Sequence, residues 1–198
     1  VLVQSKKSSP HRVTPACSVY RKCGGCQISH MEYEKQIRMK RQLVIDTVTR
    51  IGGADGNQLV RPVIPADHPF GYRNKMMLPV GGTAGHAVTG CFAQGTHEVI
   101  SNDACAIQKD QNNRLARFSS KFMNRFGIAP YDEKTKTGDI RHIMGRVGEQ
   151  GKLMAVIITA GEQLPYQKEW IEEMRAALPE LVSLYQKKKK KPGNTILS

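Results

Sequence analysis

The sequence predicts an α+β fold: a mostly antiparallel sheet with flanking helices and a Cys-rich metal-cluster loop. Three observations carry this. Short β-patterned runs are joined by glycine-rich turns and interrupted by three long runs of helical period. No strand-turn-helix unit repeats in the way a parallel α/β sheet requires. Three of the five cysteines crowd the ten residues from Cys17 to Cys26, with Cys105 standing far downstream.

The elements follow in order. Residues 1–16 are polar and basic, carry Ser8, Ser9, Pro10 and Pro15, and read as a flexible lead-in. After the cysteine loop, Met31 to Ile51 contains no Gly or Pro. Tyr33, Ile37, Val44, Val48 and Ile51 recur at helical spacing, and Gly52-Gly53 supplies the stop. Residues 54–71 are rich in Gly and Pro. A strand is expected over Tyr72–Val80, beginning in a basic cluster, and Gly81-Gly82 turns it back. His86–Phe92 and His97–Ile100 read as short antiparallel strands about a turn at Gln94-Gly95. The spacing of Leu115, Phe118, Phe122 and Phe126 predicts a helix over 107–126 whose aromatic rings belong to the core, closed by Gly127. Asp139–Val147 and the continuously apolar Leu153–Thr159 are strands, the second placed centrally with both faces covered. Tyr166–Leu178 is a third helix, and Leu181–Tyr185 a last strand. Lys187 to Lys191 read as a solvated basic loop, because five like charges repel. Val1 in place of Met and the apolar Ile196-Leu197 beside the last residue read as cut ends of a longer protein.

Composition narrows the function. The 198 residues are 39% hydrophobic, enough for an ordinary core, and the formal net charge is +13. That excess points first to nucleic acid; the bland alternative is a solvated basic surface. No apolar run approaches the roughly 20 residues that cross a bilayer, and no basic amphipathic helix with aromatic anchors stands out. A cytoplasmic monomer that avoids membranes is expected. Arg73, Lys75, Arg141 and His142 are the candidate nucleic-acid contacts, with Arg38 and Arg41 behind them on the first helix.

The pattern C-x5-C-x2-C plus a distant Cys105 joins two parts of the chain at one inorganic centre. Two readings compete. A structural zinc ion takes four thiolates in a tetrahedron; a 4Fe-4S cluster takes one thiolate per iron. Zinc ribbons pair two short C-x2-C knuckles, whereas three ligands in one loop with a lone fourth is a cubane pattern, so the cluster is preferred. Disulfides rank last, because the cysteine count is odd and no secretory signal is present. Cys91 reads as an inert residue of a buried strand. His30 reads as a packing or hydrogen-bonding residue.

Cys17 to Cys26 with Gln27 and His30, then Tyr33 and Gln36, then Gly71-Tyr72-Arg73-Asn74-Lys75, then Gly90, Phe92, His97 and Cys105 occur in an order that resembles the RNA uracil-5 methyltransferases. Gly138-Asp139-Ile140-Arg141-His142-Ile143 and Asn194-Thr195-Ile196-Leu197 resemble that family too. The resemblance implies a 4Fe-4S cluster on Cys17, Cys23, Cys26 and Cys105. It implies that 17–198 is the iron–sulfur central domain, divisible into sub-lobes 17–106 and 107–198, with 1–16 a lead-in or the remnant of an N-terminal RNA-binding barrel. The substrate it implies is RNA, ribosomal ahead of transfer RNA. S-adenosylmethionine, the nucleophilic cysteine and the general base of the complete enzyme would sit in a Rossmann-like domain after Ser198, so this span would be inactive alone. In the chemistry implied, a thiolate adds to C6 of uracil, C5 takes the methyl group, and a base removes the C5 proton. The alternatives are a stand-alone zinc-binding RNA-binding module and a ferredoxin-type electron carrier.

Overall fold

The computed structural model describes residues 7–102 and 104–189. Six strands form one sheet in the order β3-β2-β1-β4-β5-β6: β1 Lys75–Thr83, β2 His86–Phe92, β3 Val99–Ser101, β4 Ile140–Val147, β5 Leu153–Thr159 and β6 Leu181–Lys188. Four of the five pairings are antiparallel; β5 and β6 run parallel. A parallel pair needs a crossover, which α4 (Gln167–Ala177) supplies. The mostly antiparallel α+β expectation therefore holds. The sheet runs across residues 106 and 107, and one core cluster draws Met76, Leu78 and Val80 together with Leu115, Ile143 and Ile157. The expected sub-lobes 17–106 and 107–198 are thus corrected to one sheet with a shared core.

Helix α3 (Asp110–Phe126) lies on the sheet through Leu115, Ala116, Phe122 and Met123, all buried. Gly127 ends it at φ 62°, donating to Asn124 and Met123 carbonyls, as a left-handed C-terminal cap does. The sheet leaves room for the helix at Gly145 of β4. A Cβ there would collide with Asn112 Oδ1 and stand 2.9 Å from Leu115 Cδ2. Trp170 of α4 is fully buried, its ring centroid 4.1 Å from Phe122 and 6.0 Å from Phe118. The aromatics of α3 are core, as expected. β5 is buried nearly throughout, also as expected.

Several expectations shift. Helix α1 (Tyr33–Arg50) packs on the short α2 (Gly56–Leu59), and not on the sheet. Its fully buried residue is Ile45, whereas Val44 and Ile51 of the anticipated face are exposed. The lead-in is tied down from His11: Val13 N–H donates to the His30 carbonyl (2.9 Å) and Glu32 N–H to the His11 carbonyl (2.9 Å). β1 starts at Lys75, because Arg73 pairs instead with the segment after Cys105, its N–H donating to the Ile107 carbonyl at 2.8 Å. The lysine run is not a solvated loop where it is described: Lys187 and Lys188 lie in β6 and Lys189 is buried. Lys190, Lys191 and Asn194 to Leu197 lie outside the described residues. No helix of the described residues is long and apolar enough to cross a membrane.

Candidate functional site

Four elements converge on one cavity. The loop from Cys17 to Cys26 folds on itself through Tyr20 N–H to the Cys17 carbonyl (3.2 Å) and Cys23 N–H to the Val19 carbonyl (2.8 Å). It docks on the end of β2, where Gly24 N–H donates to the Phe92 carbonyl at 3.0 Å and Cys23 pairs with Ala93. Gly24 is required there, since a Cβ would lie 2.9 Å from the Phe92 carbonyl oxygen. Tyr20 locks the far side. Its hydroxyl lies 2.6 Å from both the Gln27 carbonyl oxygen and His30 Nδ1. A carbonyl only accepts, so the hydroxyl donates there and receives the Nδ1 proton. His30 is therefore the hydrogen-bonding residue the sequence indicated.

Cys105 comes from the other side, between β3 and α3. Asn113 of α3 clamps it twice: its Oδ1 accepts from Cys105 N–H and its Nδ2 donates to the Cys105 carbonyl, both at 3.1 Å. The result places Cys17, Cys23, Cys26 and Cys105 around one cavity whose walls include Ala16, Tyr20, Phe70, Ala106 and Ile107. Cys91 of β2 lines it as well. The expectation that Cys91 is merely an inert core residue is corrected: it packs beside the core and also faces the four other thiols. Burial first, then the Cys23 and Cys105 sulfurs, pushes the Cys91 pKa up to about 12, with Arg73 opposing. Burial likewise raises Cys105.

The donors suit an iron–sulfur cluster. Soft thiols, apolar walls and N–H groups aimed at sulfur are the features that hold and tune one. Here Gly25 N–H donates to Cys23 Sγ (3.4 Å) and Asn102 Nδ2 to Cys17 Sγ (3.9 Å). Among the described residues, no three or more His, Cys, Asp or Glu side chains form a group that holds a single metal ion.

The basic candidates separate. Arg38, Arg73 and Lys75 are exposed, and no carboxylate among the described residues pairs with them. Arg73 also lines the thiol cavity. Arg41 is a brace, its NH2 group donating to the Val60 carbonyl at 2.8 Å. Arg141 is corrected: its side chain is only 2% exposed, paired with Glu133 and stacked 3.6 Å over the Tyr131 ring, so it is not presented to an outside phosphate. His142 is corrected too. Burial, then Lys189 and Arg141, lower its pKa to about 4, so at neutral pH it carries no charge for a phosphate. Arg146, which the sequence reading passed over, stands exposed directly opposite Lys75 across the β1–β4 ladder. Like charges facing each other weaken a sheet. The signal was strand alternation, which puts Arg146 on the face away from buried Gly145 and Val147.

No family model matches the chain. It is 38% identical over 191 residues to an uncharacterized RNA methyltransferase of Halalkalibacterium halodurans, covering 96% of this chain and 42% of the relative. It is 38% identical over 196 residues to one from Bacillus cereus (98% and 43%) and 37% identical over 179 residues to one from Listeria innocua (90% and 39%). The chain thus spans less than half the length of these relatives. Among solved structures, the Pyrococcus abyssi tRNA (uracil-54, C5)-methyltransferase in complex with S-adenosyl-L-homocysteine superposes with a TM-score of 0.67 at 21% identity, covering 96% of this chain and 41% of that one. That likeness is one of fold.

Proposed function

We propose that this chain is the RNA-docking, iron–sulfur part of an S-adenosylmethionine-dependent RNA uracil-5 methyltransferase. One observation carries the reading: Cys17, Cys23, Cys26 and Cys105, singled out by spacing alone, line a single cavity. Relatives named RNA methyltransferases over nearly the whole chain support the enzyme class. The uracil-5 position and the methyl donor are supported by the fold-level neighbour and its bound S-adenosyl-L-homocysteine. Methyl transfer would belong to a part of the protein outside this span.

Cys17, Cys23, Cys26 and Cys105 would each cap one iron. A lone zinc would instead draw four sulfurs to about 3.8 Å of one another around 2.3 Å bonds. The order of the ligands, three in one loop with a lone fourth, favours the cluster reading. The cluster would supply a rigid clamp between the loop and the segment entering α3, since methyl transfer needs no electron. The chain's own residues would then do the docking: Arg73, Lys75 and Arg146 offer phosphates exposed charge, with Arg38 exposed on α1 as a further contact.

Anaerobically purified protein should hold about four irons and four labile sulfides per chain; one zinc and no colour would favour the stand-alone zinc module instead. Arg73→Ala with Lys75→Ala should lower RNA affinity and reduce the slope of log K against log salt by about 1.4 to 1.8, because two fewer phosphates are neutralised. An unchanged slope removes both from the interface. Running the titration with ribosomal and transfer RNA fragments in parallel separates the two substrate classes.

A further inference from the structure

Five thiols surround the cavity and a four-iron cluster uses four, so Cys91 is surplus. Its position relative to Cys23 is specific. Both thiols border Gly25. A Cβ at Gly25 would stand 3.4 Å from Cys23 Sγ and 3.7 Å from Cys91 Sγ, so both sulfurs border the same small gap. The backbone holds them in this relation. Gly24 N–H is bonded to the Phe92 carbonyl, the residue after Cys91, and Cys23 pairs with Ala93 two places on. Gly25 N–H donates to Cys23 Sγ at 3.4 Å.

We propose that Cys23 and Cys91 form an oxidant-driven disulfide site, in which Cys23 is the sulfur that peroxide oxidises and Cys91 resolves it when no metal centre is bound. The chemistry balances. The Cys23 sulfur attacks hydrogen peroxide, giving a sulfenic acid and releasing one water. The Cys91 sulfur then displaces the sulfenic oxygen, which leaves as a second water with the Cys91 proton. Two thiols lose two electrons, and one peroxide takes them up. The product removes one cluster ligand and pins the Cys17–Cys26 loop to β2. The centre cannot then rebuild until a reductant opens the bond. The consequence for iron rests on the cluster reading above; the disulfide itself does not.

The test uses metal-free wild-type protein, prepared by anaerobic chelation. It is treated with an equimolar amount of hydrogen peroxide, alkylated and digested without reductant. A Cys23–Cys91 cross-link, located by fragmentation of the linked peptides, is expected as the main product. Oxidised protein is expected to take up iron and sulfide only after dithiothreitol. Disulfides confined to Cys17, Cys26 and Cys105, with Cys91 still alkylated, would overturn the proposal. So would iron uptake by the cross-linked protein without reductant. Cys91→Ser should abolish the product; the wild-type map decides even if that variant folds poorly. Failure of the cluster reading appears separately, as anaerobic protein that never held iron and sulfide, and leaves the peptide map unaffected.

Discussion

The body of the molecule and its thiol margin are held by different means. In the body, α3 and α4 bury Leu115, Met123, Trp170 and Met174 completely against the sheet. In the margin, α1 buries Ile45 alone, and Leu43, Val44, Ile51, Leu59, Ile64, Phe70 and Tyr72 stay exposed. There the chain is organised by backbone hydrogen bonds, the Tyr20 lock and the converging thiols. Apolar burial stabilises at roughly 25 cal/mol per Å², so packing is the main support of the body. The margin has little of that term, and a metal centre would contribute most where packing contributes least.

Trp170→Ala should separate the regions most sharply. It empties a fully buried position beside Phe118 and Phe122 and should cost about 3–5 kcal/mol, read as a lower urea midpoint at unchanged m. Cys105→Ser should leave that midpoint within about 1 kcal/mol of the wild type in metal-free protein while abolishing iron loading. Equal effects of the two on the midpoint would mean that the margin is part of the body.

Gly145→Ala tests the joint between them. The new methyl would press on Asn112 and Leu115 and push α3 off β4, at about 1–3 kcal/mol. Because Asn113 rides on the same helix turn, iron retention should fall as well. Full iron retention in a destabilised protein would show that the clamp on Cys105 does not depend on the seat of α3.

What the sequence disclosed follows the same division. Periodicity found β2 and β5 to the residue and α3 and α4 to within a few, because those patterns are set by burial against a sheet. The same reasoning misplaced the buried face of α1, which has no sheet beneath it. Thiol spacing singled out four of the five cysteines that line the cavity. It missed Cys91, whose place depends on how the loop docks beside Phe92. Charge alone could not tell exposed Arg73 from Arg141, because the Glu133 and Tyr131 that enclose Arg141 reach it through the turn before β4.

His142 gives the body one acid-sensitive point. Its pKa falls from 6.5 to about 4 on folding, through burial, then Lys189 and Arg141. Between those values the unfolded chain binds the extra proton, so stability is full above pH 6.5 and declines as pH falls toward 4. The shift corresponds to at most about 3 kcal/mol; partial exposure of the ring brings the expectation to about 1–2 kcal/mol. His142→Gln should flatten the stability profile over that window. An unaltered slope would assign the acid sensitivity elsewhere.

Asn113→Ala should have the smallest effect on unfolding and an outsized one on the proposed metal centre. The amide satisfies both backbone groups of Cys105, and removing it should cost about 1 kcal/mol, since solvent can reach a part-buried pair. The Cys105 sulfur would lose its aim without losing its chemistry, so loaded protein should release iron to a chelator faster while the thiol count stays the same. Asn113→Asp keeps the acceptor for Cys105 N–H but sets a carboxylate against the carbonyl. Slow release in Asn113→Asp with fast release in Asn113→Ala would assign the clamp to the N–H contact; fast release in both would assign it to the pair.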